Sequence, residues 1–189
     1  MEQILAIPTN KLNGLTHATP ENILPHAYFT DRTPAETNES LKQVIPYVYL
    51  THGDSVLLSQ RLSGGSESRL TGKYALGFGG HINPIDEDNP SLDSPILAGL
   101  RRELFEELGL TDLSGLTYKG LINLDATAVE RVHVGLVYHL PLSDGAAARI
   151  LSFEPDKLSV SWCPLADLPT YYPALEGWAQ YVYTTYLKE

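Results

Sequence analysis

The most regular hydrophobic pattern in the chain lies between residues 95 and 108, where apolar side chains recur every three or four positions. This spacing predicts a helix with one apolar stripe facing a core. Ser94 is a favourable N-cap, Pro95 suits the first helical position, and Gly109 suits the left-handed position after a helix. We therefore expect a helix of about four turns. Its apolar stripe consists of Leu97, Leu100, Leu104 and Leu108.

Shorter apolar or alternating segments predict β-strands before and after this helix. Pro46 should lie near an end or a bulge of its strand, because proline has no N–H for the ladder. Asp125 to Glu130 is predicted to be a connecting loop. Aromatic side chains at helical spacing predict a C-terminal helix over residues 176–187. The predicted strands span residues 3–7, 43–50, 55–61, 116–124, 131–140 and 158–162.

Three acidic side chains occupy another face of the helix predicted over residues 95–108. Glu106 and Glu107 follow Glu103 by three and four positions, so at about 100° per residue all three project from one side. A like-charge pair at this spacing destabilises a helix by roughly 0.2–0.5 kcal/mol, and acids in the last turn oppose the helix dipole. A divalent cation would reverse both penalties. The alternative is a solvated charged face, and the spacing alone does not decide between them.

Residues 102–110 resemble the second half of the Nudix box, whose core is Arg-Glu-apolar-any-Glu-Glu-any-Gly-apolar, and they meet every defined position. Upstream, residues 73–82 resemble the strand and glycine pair that open this box. The resemblance covers about residues 42–187 and is strongest in the second half of the box. It implies an α+β Nudix fold, in which a mixed β-sheet is sandwiched between α-helices (α/β/α).

The first half of the box departs from the family pattern. The distance from Gly80 to Arg102 is longer than in the family, and Ser94 stands where the first glutamate of the box is expected. That glutamate is mainly a structural brace in the family, so its absence does not imply loss of activity. Residues 81–93 are interpreted as an inserted acidic loop. A solvated loop is favoured for its acids, with an extra metal ligand as the alternative; they are Asp86, Glu87 and Asp88.

The resemblance implies an enzyme, a diphosphohydrolase that cleaves a diphosphate linkage in a nucleoside diphosphate derivative. It further implies that Mg²⁺, with Mn²⁺ as a substitute, is bound by Glu103, Glu106, Glu107 and the carbonyl of Gly80. Arg102 is expected to orient the glutamates. The general base is expected to be Glu103 or a loop acid, with Glu130 as the first candidate and Asp125 and Glu154 behind it. The alternative is a non-catalytic Nudix-like domain that senses a nucleotide or binds a partner.

Three residues are candidates for substrate binding. Arg61 ends a predicted strand at the mouth of a Gly/Ser-rich loop, and Lys73 lies in the same basic segment, which suits an anionic substrate. Tyr47 could stack on a base. The corresponding alternatives are a solvated arginine and lysine and a tyrosine packed in the core. The residues do not indicate which diphosphate compound is the substrate.

Composition narrows the class of protein further. The 189 residues suit one domain over residues 41–189, with residues 1–40 as an N-terminal extension packed on it. The extension could also complete a homodimer or form a wall of the substrate pocket. One cysteine excludes a disulfide framework and fits a reducing, cytoplasmic location. The net charge of −10 disfavours nucleic acid and anionic membranes as partners, and no apolar run is long enough to cross a membrane.

Overall fold

The computed structural model describes residues 1–15, 18–61, 72–87, 94–150 and 158–188. The described chain contains nine strands: β1 (Gln3–Pro8), β2 (Tyr28–Asp31), β3 (Leu41–His52), β4 (Ser55–Arg61), β5 (Tyr74–Ala75), β6 (Gly77–Phe78), β7 (Thr117–Ile122), β8 (His133–Pro141) and β9 (Leu158–Pro164). Their presence beside helices confirms the predicted α+β class with a mixed sheet.

The longest helix is α5 (Pro95–Leu108), which agrees with the predicted bounds. The other helices in the described residues are short: α1 (Thr9–Asn13), α2 (Pro20–Ile23), α3 (Arg32–Ala35), α4 (Pro84–Glu87), α6 (Ala128–Val132), α7 (Asp144–Ala147), α8 (Leu168–Tyr171) and α9 (Gly177–Val182). A π-helical turn over Tyr183–Leu187 continues α9, so the predicted C-terminal helix is confirmed. None of the helices described is long and apolar enough to cross a membrane.

The chain divides into two compact units. The first consists of Met1–Tyr47, Gly79–Arg102 and Tyr118–Tyr138. Its N-terminal segment contributes β1, which pairs antiparallel with β2 on one side and with residues Leu41 to Gln43 of β3 on the other. The buried core beneath these strands includes Ile4, Ala6 and Ala35.

The second unit consists of Val48–Phe78, Glu103–Thr117 and His139–Glu189. In it, β4 pairs antiparallel with β9 over its whole length, from Ser55 opposite Pro164 to Arg61 opposite Leu158. Strand β4 also pairs with β5, and the end of β3 pairs with β6 and with the start of β4. A parallel bridge joins Tyr74 to Leu175, so the C-terminal segment closes onto β5.

Pro46 was predicted at an end or a bulge of its strand; it lies in the middle of β3, so the prediction of a strand end is wrong. The ladder with β1 extends only to Gln43. Pro46 lies beyond that ladder, so its missing N–H removes no hydrogen bond between β3 and β1. Most of β3 is buried. Strand β8 is buried along most of its length on both faces, as expected of a strand away from the sheet edge.

Candidate active site

Both ends of α5 are set by local sequence. The Oγ of Ser94 accepts a hydrogen bond from the N–H of Ile96 at 3.3 Å, which satisfies one of the free donors of the first turn. At the other end Gly109 has φ +66°, the left-handed conformation that favours glycine. The N–H of Gly109 donates to the carbonyl of Phe105 at 2.9 Å, the bond of an αL C-cap, and the N–H of Leu110 donates to the carbonyl of Leu104 at 3.2 Å. The helix therefore ends one residue after Glu107.

The three glutamates of α5 differ in exposure. Glu106 is exposed, whereas Glu103 and Glu107 are half-buried. The Oε2 atom of Glu107 is buried. Burial of a carboxylate oxygen away from water is unfavourable unless a positive charge or a hydrogen-bond donor compensates it. The glutamate row is therefore not a uniformly solvated face.

The donor chemistry of this row suits Mg²⁺, a hard cation that takes oxygen ligands. Among the residues that the structure describes, no three acidic, histidine or cysteine side chains converge closely enough to form a metal cage. Mg²⁺ is usually held by one or two carboxylates together with water and substrate phosphates, so it does not require such a cage. The residues present fit a magnesium ion that is only partly coordinated by protein.

Arg102, immediately before Glu103, is held by the segment that precedes α5. Its Nε donates to Oδ1 of Asp86 at 3.0 Å, and its Nη2 donates to Oδ2 of the same carboxylate at 3.1 Å. Nη2 also donates to the carbonyl of His81 at 2.8 Å and to Oδ1 of Asn83 at 3.2 Å. The guanidinium plane is thus fixed by a bidentate carboxylate and two further acceptors.

The Asp86 side chain is only 4% exposed, so the prediction of a solvated loop is wrong at this position. Besides binding Arg102, Oδ2 of Asp86 accepts the N–H of Asn83 at 2.8 Å. The helix approaches closely here, since a Cβ on Gly99 would lie 3.1 Å from Oδ2 of Asp86. A buried aspartate paired with arginine is a brace between α4 and α5.

Glu130 lies in the first turn of α6, which begins at Ala128, so the prediction of a loop over residues 125–130 is wrong for its last three residues. The N–H of Glu130 donates to Oγ1 of Thr127 at 3.2 Å, and Oε2 of Glu130 accepts the N–H of Thr127 at 2.8 Å. This is a capping box, for which the sequence Thr-x-x-Glu was an available signal. The buried Lys42 donates from Nζ to the carbonyls of Glu130 and Leu124, at 2.7 and 3.1 Å. Glu130 therefore stabilises the N-terminus of α6 as part of the capping box.

Gly79, the first glycine of the pair before the insertion, is required by the close approach of the backbone to β3. Gly79 has φ +141°, and a Cβ at this position would collide with the carbonyl oxygen of Pro46. Glycine allows the backbone to pass β3 at this distance. Gly80, the predicted carbonyl ligand, follows it in the first unit.

His81 is packed in a polar part of the first unit. Its Nε2 lies 2.8 Å from Oε1 of the fully buried Gln43, and its ring centroid is 5.8 Å from that of His133. Burial lowers the pKa of His81 to about 4, with smaller contributions in the same direction from Arg32 and His133. His81 is therefore neutral at pH 7. His133 donates from Nδ1 to the carbonyl of Val129 at 2.8 Å, which fixes its tautomer.

Comparison with known proteins decides the family. No protein-family model matches the chain. Protein YmaB of Bacillus subtilis (strain 168) is 39% identical over 155 residues, which are 80% of this chain and 74% of YmaB. The crystal structure of Tm1382, described as a candidate Nudix hydrolase, is 31% identical with a TM-score of 0.78 over 98% of both chains. This chain belongs to the Nudix superfamily.

A more distant Nudix structure agrees in fold. The MutT NUDIX hydrolase of Burkholderia pseudomallei is 23% identical with a TM-score of 0.56, over 76% of this chain and 96% of that one. The predicted Nudix fold is confirmed.

The pair formed by Asp86 and Arg102 can be compared with the pattern of the Nudix box. The resemblance placed the first acid of the box at Ser94, counted back from Arg102. In the structure Ser94 caps α5, and Asp86 is the acid bound to the arginine. The acid that pairs with Arg102 is therefore Asp86, which lies outside the position counted back from the arginine.

The predicted substrate residues fall in different surroundings. Tyr47 is 7% exposed in β3, which favours core packing over stacking on a base. Lys73 is exposed just before β5. Arg61 is the last residue of β4, and its side chain lies outside the described part of the chain. Two further candidate acids, Asp88 and Glu154, also lie outside it.

Proposed function

We propose that this Nudix chain is a Mg²⁺-dependent diphosphohydrolase that cleaves a diphosphate linkage in a nucleoside diphosphate derivative. The observation that carries the proposal is α5, which places Glu103, Glu106 and Glu107 directly after an arginine anchored by Asp86. The resemblance of Tm1382 to this chain over its whole length supports the same class of activity. Mn²⁺ is proposed as a substitute metal.

In this proposal Glu103, Glu106 and Glu107 hold the metal ion, and the Gly80 carbonyl is a further ligand by family resemblance. A bound Mg²⁺ would neutralise the diphosphate and lower the pKa of a water molecule. The protein itself positions the glutamate side chains. The anchored Arg102 braces the middle of α5, whose buried leucine stripe sets the direction in which the glutamates project. Phosphoryl transfer depends chiefly on such positioning and on charge neutralisation.

Glu103 is the general base we propose. A base must reach the attacking water with an available lone pair. One carboxylate oxygen of Glu130 is engaged by the N–H of Thr127, and the residue is 8% exposed, which makes Glu130 the weaker candidate. Glu103 is half-buried beside the anchored arginine. Lys73, which is exposed, is proposed to attract the anionic substrate.

Two glutamine variants test this assignment with a matched pair. Glu103→Gln should lower kcat by about 10²–10⁴, the range for loss of a general base. Glu130→Gln should retain most of kcat, because glutamine at this position can still complete the capping box. The assay measures the rate at which phosphate monoesters form from a panel of nucleoside diphosphate derivatives in the presence of Mg²⁺. A large loss in Glu130→Gln and a small one in Glu103→Gln would reverse the assignment.

The same panel tests the function as a whole. The wild-type protein should hydrolyse at least one compound in the presence of Mg²⁺ and none after chelation. Binding of a nucleotide without any hydrolysis would instead support a sensing or partner-binding Nudix domain, and the proposed activity would be rejected.

A further inference from the structure

Asn83 joins the box arginine to the N-terminal strand of the same unit. Its Oδ1 accepts a hydrogen bond from Nη2 of Arg102 at 3.2 Å. Its Nδ2 donates to the carbonyl of Gln3 at 2.7 Å and to Oε1 of Glu2 at 3.4 Å. Arginine can only donate, and a carbonyl can only accept, so the orientation of the Asn83 amide follows from its partners.

The N-terminal end of this connection is itself fixed. The N–H of Leu5 donates to the carbonyl of Ile82 at 2.9 Å, which attaches β1 directly to the segment that contains Asn83. The backbone of Arg32 donates to the carbonyl of Glu2 at 2.9 Å, and its Nη1 forms a 3.0 Å ion pair with the Glu2 carboxylate. Arg32 is held in turn by Glu36 at 2.9 Å. Gln3, the first residue of β1, and Glu2 before it therefore face Asn83 in a defined position.

The hydrogen-bond partners at position 83 require an amide side chain. A side chain that bridges Arg102 and a backbone carbonyl must offer one acceptor and one donor. Aspartate would keep the acceptor for Arg102 and lose the donor to Gln3, and it would face the Glu2 carboxylate. Asp86 fixes one edge of the guanidinium, and Asn83 adds a contact that comes from outside the box.

We propose that Asn83 is a positioning residue that couples strand β1 to Arg102 and thereby holds the part of α5 that carries Glu103. The inference rests on the proposed function, since it assigns the N-terminal segment a role in arranging the metal-binding glutamates. Residues 1–40 are in this view part of the machinery that orients α5.

The first experiment measures Mn²⁺ affinity by electron paramagnetic resonance, together with kcat and KM. Asn83→Ala and Asn83→Asp should each weaken Mn²⁺ binding three- to tenfold and lower kcat with a smaller change in KM. The effect is set below the 10- to 100-fold loss typical of residues that contact metal ligands directly, because Asn83 acts through Arg102. An Asn83→Asp protein with wild-type affinity and kcat would overturn the role of the link to β1.

Asn38→Ala is the matched control. Asn38 is an exposed asparagine of the same unit, and its Oδ1 accepts two hydrogen bonds from Ser40, at 3.1 and 2.6 Å. It has no place in the connection to Arg102. This variant should bind Mn²⁺ and turn over substrate as the wild type does, even if its melting temperature falls. Equal losses in Asn38→Ala and Asn83→Ala would show a general effect of destabilisation and overturn the proposal.

The second experiment is a double-mutant cycle with Arg102→Ala. If Asn83 acts through Arg102, Asn83→Ala should cause no further loss of Mn²⁺ affinity in the Arg102→Ala protein. Independent, additive losses would overturn the coupling. Should Asn83→Ala fail to fold, the cycle is run with Asn83→Asp.

The Mn²⁺ measurement separates this proposal from the proposed function. If the wild type binds Mn²⁺ but hydrolyses no compound of the panel, the proposed activity is rejected. The Mn²⁺ affinities of the Asn83 variants still test the role of Asn83. A wild type that binds no Mn²⁺ overturns both.

Discussion

At the scale of single residues, the position of Arg102 is determined by a segment sixteen residues upstream. Asp86 meets it with both carboxylate oxygens, while the carbonyl of His81 and the amide of Asn83 accept from the same guanidinium nitrogen. The Arg102 side chain is 25% exposed and the Asp86 side chain 4%. A pair of this kind contributes little by itself but is costly to break, because the remaining charge stays partly desolvated.

Asp86→Ala should therefore lower the free energy of unfolding by about 2 kcal/mol, below the 3–5 kcal/mol of fully buried pairs because Arg102 retains some contact with water. Urea denaturation measures the change. Glu36→Ala is the control, since its ion pair with Arg32 is exposed and should contribute less than about 1 kcal/mol. A similar loss in both variants would contradict a special role for Asp86.

His81 gives a second prediction at this scale. Its pKa, about 4 in the folded protein because of burial, lies below the ordinary value of 6.5, so the unfolded chain binds more protons between these values. Stability contributed by neutral His81 is therefore present above pH 6.5 and lost as the pH falls towards 4, by on the order of 3 kcal/mol. Urea denaturation at several pH values should show a shallower decline for His81→Gln than for the wild type. Parallel curves would contradict the assignment.

At the scale of elements, α5 owes its bounds to short-range signals and its rotation to tertiary contacts. Ser94 and Gly109 define its ends, whereas fully buried Leu100, Leu104 and Leu108 fix the face that packs on the core. Leu97 is only half-buried, and Ile96 beside it is fully buried. The glutamates follow from this rotation, because a helix with one buried stripe has no freedom to turn its other faces.

Gly109→Ala should destabilise the protein by about 1–2 kcal/mol, because alanine is strained in the left-handed conformation that the end of α5 requires. Gly145→Ala is the matched control. A Cβ at Gly145 would meet no atom within 4 Å, and its φ is not positive, so this change should be neutral or slightly stabilising. Thermal unfolding of both variants provides the test, and equal melting temperatures would refute the capping role.

At the scale of the whole molecule, the proposed metal site is linked to folding. A ligand that binds only the folded state adds stability according to its concentration relative to Kd, about 1.4 kcal/mol at tenfold excess. For a chain of this length, 1 kcal/mol corresponds to roughly 2–4 °C in Tm. The net charge of −10 favours the binding of cations anywhere on the surface. A variant of a single acidic residue is therefore needed to locate the binding site.

Mg²⁺ or Mn²⁺ in tenfold excess over Kd should accordingly raise the melting temperature of the wild type by about 3–5 °C. Glu107→Gln should reduce this rise, because its partly buried carboxylate loses its charge. Glu21→Gln, which removes an acid from an exposed position in α2, should leave the rise unchanged. If both variants respond as the wild type does, the cation binds elsewhere.

The sequence was informative wherever the controlling interactions are local. The bounds of α5, the strands β3 and β4 and the C-terminal helix were predicted from periodicity and caps. Pro46 and Glu130 were misplaced for different reasons. The position of Pro46 depends on how β3 pairs with strands that are remote in sequence. Glu130 was within reach of local reasoning, since Thr127 and Glu130 have the spacing of a capping box.

By itself, the sequence determined that one helix carries an arginine and three glutamates in a defined order, because helical spacing and capping act over a few residues. Only the tertiary structure decided which acid braces the arginine. Asp86 and Arg102 are brought together by the packing of α4 at Gly99 and by the contacts of Asn83 with β1, and the number of residues between them carries no information about that distance.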